Sequence, residues 1–154
     1  MQTKYISLLI AWMIGLTSFA IPPSAFHKAL KKLYPAATEA AWSQQGNFYV
    51  ATFTQDGFEK KVWMTPKAKW VMTTTDLQTA DQLPPKVWNA FTFGNYSQWT
   101  VTDVNLVEYP NRPSVYIVTV NLDNAISTYM LYYSPAGQLV NIRNISYTGG
   151  SITP

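Results

Sequence analysis

The sequence predicts an α+β fold: a tandem repeat of one helix plus a four-stranded antiparallel meander, with both helices on one face of a shared or abutting twisted sheet. Three observations predict it. Short motifs recur in the same order, each half opens with a helix signature, and tight-turn residues punctuate the strand-like stretches that follow. Ile21-Pro22-Pro23-Ser24-Ala25-Phe26 reappears as Leu83-Pro84-Pro85-Lys86-Val87-Trp88, and Tyr34 falls on Tyr96 at the same spacing. Phe48-Tyr49-Val50-Ala51 matches Val115-Tyr116-Ile117-Val118, and Thr65-Pro66-Lys67-Ala68-Lys69-Trp70-Val71 matches Ser134-Pro135-Ala136-Gly137-Gln138-Leu139-Val140. The offset grows slowly along the chain, as a loop insertion in one copy would make it.

The elements follow in order. Lys4, the apolar run from Ile6 to Leu16, and the small residues Ser18 and Ala20 form an export signal over residues 1–20. The run is shorter than the roughly 20 apolar residues that a spanning helix needs. The mature chain is therefore expected to start at Ile21, and its first unit covers residues 21–76. Pro22-Pro23 opens a helix with Ser24 as its expected cap, and Phe26, Ala29, Leu30 and Leu33 lie on one stripe. Pro35 ends it by removing a backbone donor. Strands are expected near Thr38–Trp42, Phe48–Thr54, Phe58–Met64 and Trp70–Thr75, separated by Gly46-Asn47, Asp56-Gly57 and Pro66-Lys67. The connection Asp76–Gln82 is too brief to tether independent domains. The second unit, residues 83–146, repeats the plan with Val87, Trp88 and Phe91 on a helix shortened by Gly94. Its strands are expected near Trp99–Tyr109, Val115–Asn121, Thr128–Tyr133 and Leu139–Ser146. Residues 147–154 read as a flexible tail.

Composition narrows the function. Of 154 residues, 15% are aromatic and only 12% charged, which excludes a disordered chain. With no cysteine and one histidine there is no disulfide framework, thiolate zinc site or cysteine nucleophile, and no cofactor is expected. His27, on a helix flank near Lys31, reads as a solvent-facing side chain. Removing Lys4 with the signal leaves ten basic residues against eight acidic ones, a net charge of +2, with the lysines dispersed. Nucleic-acid binding, which needs a concentrated basic patch, is not expected. No spacing among the eight acids selects a catalytic pair, and no nucleophile elbow or phosphate loop occurs, so enzyme activity is not expected. Export without cysteine points to a bacterial periplasmic or secreted protein.

The doubled pattern of Pro-Pro, aromatic helix, Tyr-Pro, Trp, aromatic-rich strand and Ser/Thr-Pro turn resembles the PepSY-like, beta-lactamase-inhibitor-like proteins found mainly in Bacteroidetes. The resemblance covers Ile21 to about Ile145. It implies a fold similar to the beta-lactamase inhibitor protein and an exported, non-catalytic binding protein. Two positions depart from the pattern: Ala68 stands where the second copy has Gly137, which suggests different turn geometry, and Ser97 stands where the first copy has Pro35.

Strand alternation then selects candidate residues. If the helices cover the face bearing Tyr49 and Val62, then Phe48, Trp63, Trp70 and Tyr132 fall on the uncovered face. A set of large rings on an open sheet is a natural surface for an exported protein or peptide partner. The alternative is a carbohydrate-binding module that stacks sugars on the rings. No membrane span is expected after signal cleavage, and the oligomeric state is open.

Overall fold

Two proline pairs set the entry to the two helices of this computed structural model, which describes residues 22–122 and 127–154. The expected export signal lies outside the described residues, as does Asp123. Helix α1 spans Ser24–Leu33, and Pro23 rather than Ser24 occupies its N-cap, with no side-chain capping bond. Ser24 is already helical, so the Pro23 carbonyl takes the first turn's hydrogen bond from the Phe26 N–H. Helix α2 spans Pro85–Thr92, follows Pro84 in the same way, and ends just before Gly94.

Eight strands form one sheet in sequence order, every neighbouring pair antiparallel. They are β1 (Ala41–Gln45), β2 (Phe48–Gln55), β3 (Phe58–Met64), β4 (Trp70–Asp76), β5 (Thr100–Glu108), β6 (Val115–Asn121), β7 (Thr128–Tyr133) and β8 (Leu139–Asn144). The meander is continuous because short connections link successive strands within each half, and because β4, although 23 residues that include helix α2 separate it from β5, pairs with it directly through Thr73–Glu108 to Asp76–Asn105. The sheet is thus shared rather than abutting. The first strand begins later than expected, at Ala41 rather than Thr38. The segment between the halves packs into the molecule: Leu77 and Leu83 are buried, and residues Ala80–Gln82 form a single 3₁₀ turn.

The apolar stripe of α1 packs Phe26 and Leu30 against Trp42, Ala51, Phe53, Val62 and Met64. Val87 and Phe91 of α2 pack against Val104, Val118, Val120, Leu131 and Tyr133. These two clusters carry alternate residues of their strands, and a third cluster carries the others: Val50, Trp63, Met72, Val107, Ile117, Met130 and Ile145. Trp88, which the motif match places on Phe26, is exposed, and Val87 takes the buried place instead. The buried helical stripe is set one residue earlier in α2 than the motif match predicts.

Two bulges in the sheet correspond. The register shifts between Trp63 and Met64 leave Val71 as an extra residue in β4, and the shift between Tyr132 and Tyr133 does the same with Val140 in β8. The turns before these strands also match. Thr65 and Ser134 each donate an N–H to the residue four positions on, at 2.9 and 2.8 Å, and each accepts from the residue three on, Ala68 or Gly137, at 2.9 Å. The different geometry expected from Ala68 is therefore absent. Ala68 adopts φ 55°, in the left-handed region that Gly137 occupies at φ 84°.

Candidate functional site

The third cluster defines the face away from the helices. β2 supplies Phe48 and Val50, β3 Trp63, β4 Met72, β5 Val107, β6 Ile117 and β7 Met130 and Tyr132. Val50 stands opposite Trp63, Trp63 opposite Met72, and Ile117 opposite Tyr132, so the apolar side chains form cross-strand rows. Phe48 meets the Trp63 ring edge-on at 6.2 Å. Three of the four expected residues, Phe48, Trp63 and Tyr132, therefore share this face.

Trp70 does not. It packs with the α1 cluster, and its indole N–H donates to Thr73 Oγ1 at 3.0 Å, a hydroxyl that also accepts from the Tyr34 hydroxyl at 3.0 Å. Strict alternation from Met72 would have put Trp70 beside Trp63, but the extra residue Val71 turns it over. Trp70 is a buried-side packing residue under α1.

Nor is the face bare. Trp63 is only 4% exposed, and Phe48 and Tyr132 are half-buried. Its cover is the segment expected to be a flexible tail. After β8, the Ile145 N–H bonds the Thr128 carbonyl at 2.9 Å and Ile145 is buried in the third cluster. The chain then turns back over the sheet. Gly150 lies so near β7 that a Cβ there would come within 2.9 Å of Met130 Sδ. Ile152 packs against the third cluster, and Pro154 borders a recess with Val71, Tyr109 and Arg112. The segment thus crosses the strands from β8 toward β4.

Farther along the same strands the face turns polar. Lys61, Thr74 and Asn105 sit two residues from Trp63, Met72 and Val107, and Asp103 two residues beyond Asn105. With Glu59 and Asp76 they line one recess of about 160 Å³. Lys61 pairs with Glu59 at 3.0 Å, and Asn105 donates to Asp103 at 2.6 Å. Burial raises the Asp103 carboxyl above the ordinary carboxylate range; the Asn105 hydrogen bond opposes this and the nearby Asp76 charge adds to it. Sequence spacing did not reveal this meeting of Glu59, Asp76 and Asp103. The usable signal was strand parity combined with the pairing of Asp76 with Asn105 across the junction of the halves. Among the described residues, no group of three or more His, Cys, Asp or Glu is arranged to hold a metal ion.

One polar atom on this face lacks a partner. The Trp63 indole N–H is buried without a hydrogen bond, a condition that costs on the order of 1–3 kcal/mol. Trp42, on the helix side beside His27, is the other indole so placed. His27 itself is exposed, 5.3 Å from the Trp42 ring. Because Trp63 is buried edge-on to Phe48, it offers no flat ring for a sugar, and the carbohydrate reading finds no support here.

Comparison with known proteins agrees with this architecture. The family model described as "Putative beta-lactamase-inhibitor-like, PepSY-like" matches residues 47–141. A BLIP-like protein from Bacteroides fragilis is 40% identical with a TM-score of 0.84, over 90% of this chain and 96% of that one. A DUF2874 family protein from Bacteroides ovatus is 42% identical with a TM-score of 0.78, over 82% and 89% of the two chains. A protein from Bacteroides eggerthii described as "putative periplasmic" is 38% identical with a TM-score of 0.74, over 82% and 92% of the two chains. No curated protein matches the chain.

Proposed function

Since the chain belongs to the PepSY-like, beta-lactamase-inhibitor-like family, we propose that it is a non-catalytic module that binds another exported protein through the sheet face opposite its helices. We further infer that its two halves are copies of one helix-plus-four-strand unit, supported by the matched bulges at Val71 and Val140 and the matched turns at Ala68 and Gly137. The periplasm is the proposed site of action. It fits the export signal expected over residues 1–20 and the related Bacteroides eggerthii protein, and no described helix is long and apolar enough to cross a membrane.

The observation that carries the binding reading is the composition of the face. Large apolar side chains from six adjacent strands, β2 to β7, converge on it, away from both helices, and an acidic recess adjoins them. A surface with aromatic anchors beside a charged rim has the makeup of a protein interface. Phe48 and Tyr132 are the half-buried anchors, and Trp63 forms the floor.

Capture from bacterial envelope extract tests this reading. Wild type and a Phe48→Ala, Tyr132→Ala double variant are compared, with matched melting curves to show that both are folded. The variant should lose at least one protein that wild type retains reproducibly. Identical captured sets from two folded proteins would exclude this face as the docking surface.

A further inference from the structure

The carboxyl-terminal segment lies over both parts of the face. Gly150, Ser151, Ile152 and Thr153 line a cavity of about 260 Å³ together with Trp63, Met130, Thr74, Lys61, Asp103 and Asn105. A length of chain without regular secondary structure is thus already seated across the strands, with one apolar side chain, Ile152, set against the apolar cluster. Its seating is incomplete in two respects. No hydrogen bond joins residues 149–154 to another described residue, so the buried Trp63 N–H receives no acceptor from the segment. The segment also carries no charged side chain, whereas Asp76 and Asp103 face the same region and the only ion pair among the described residues is Lys61 with Glu59.

We propose that this face is a groove for an extended cationic peptide segment, and that residues 149–154 are a resident strap that a partner segment must displace. The proposal rests on the protein-binding reading above and specifies its ligand. A better-fitting segment would place an apolar side chain where Ile152 lies, bring a backbone carbonyl to the Trp63 N–H, and set a lysine or arginine against Asp76 and Asp103. The strap competes as a tethered ligand. Its effective concentration is fixed by the short chain from Ile145, so it excludes weak segments and yields to stronger ones.

Labelled synthetic octapeptides are the probes: Tyr-Thr-Gly-Gly-Ser-Ile-Thr-Pro, the sequence of residues 147–154, and two relatives with lysine or glutamate at both the Ser151 and Thr153 positions. Each is titrated by fluorescence anisotropy against the mature chain and against one ending at Thr148. The shortened chain should bind the lysine peptide at least tenfold more tightly than the mature chain does, and at least tenfold more tightly than it binds the glutamate peptide. Asp103→Asn in the shortened chain should reduce that second ratio severalfold. Equal binding by the two chains would overturn the strap. Equal binding of the lysine and glutamate peptides, or no binding by the shortened chain, would overturn the groove. If the shortened chain shows no melting transition, Ile152→Asp in the mature chain replaces it in the same comparison. Peptide binding as stated alongside unchanged envelope capture by the Phe48, Tyr132 variant would leave the groove standing and remove the protein-docking reading.

Discussion

At the scale of single residues, the two matched turns make a controlled pair. Ala68 holds a left-handed φ that its Cβ disfavours, and Gly137 holds the same conformation without that strain. Ala68→Gly should raise unfolding free energy by about 1 kcal/mol, read from urea denaturation. Gly137→Ala should lower it by more than the roughly 1 kcal/mol that the conformation alone costs, because a Cβ there would run into the Lys86 carbonyl oxygen at the start of α2. Asp103 gives a pH signature. Its raised pKa means that the native state still holds the proton at pH values where the unfolded chain has released it. Stability therefore falls as pH rises through the window just above the ordinary carboxylate range, and returns on acidification. Asp103→Asn should flatten that fall in unfolding curves taken across the window, without loss of stability at neutral pH. The residue scale is also where sequence reading slipped. Trp70 lies on the helix side and not on the face that alternation predicts, because one inserted residue, Val71, inverts strand parity and no residue type in the sequence marks a bulge of that kind.

At the scale of elements, α1 was readable from its stripe because a 3.6-residue period needs only local information. Its docking follows from Phe26 and Leu30, both 3% exposed. Leu30→Ala should cost about 2–5 kcal/mol by leaving a cavity over β2 and β3, measurable as a lowered melting temperature. Strand β8 behaves differently. All six of its residues are exposed, Leu139, Val140 and Ile142 among them, and one of its edges has no strand neighbour. An apolar unpaired edge favours association with other chains. Ile142→Lys should change stability by no more than about 0.5 kcal/mol while reducing light scattering at high protein concentration. The position of the tail against the sheet was not legible in the sequence. Thr148-Gly149-Gly150-Ser151 has the composition of a free end, and only the apolar surface presented by Trp63 and Met130, assembled from distant strands, gives Ile152 something to cover.

At the scale of the whole molecule, the order of strands within each half was legible because their connections are short, and the assignment of Phe48, Trp63 and Tyr132 to one face was legible because alternation survives between bulges. The acidic recess was not, since Glu59, Asp76 and Asp103 come from both halves and meet only through the β4–β5 pairing. That pairing has a thermodynamic consequence. Because β4 and β5 join the halves into one sheet, tryptophan fluorescence and far-ultraviolet circular dichroism should report one coincident unfolding transition, whereas separate midpoints would show that the halves unfold independently. The central claim is that partners dock on the sheet face and not on the helices. The most direct measurement places a photoreactive benzoylphenylalanine at position 132, on that face, or at position 32, on the exposed side of α1, and irradiates each protein in the periplasm of living cells. Crosslinks to the same envelope protein from position 132 alone are the predicted result, and crosslinks from position 32 alone, or equally from both, would contradict it.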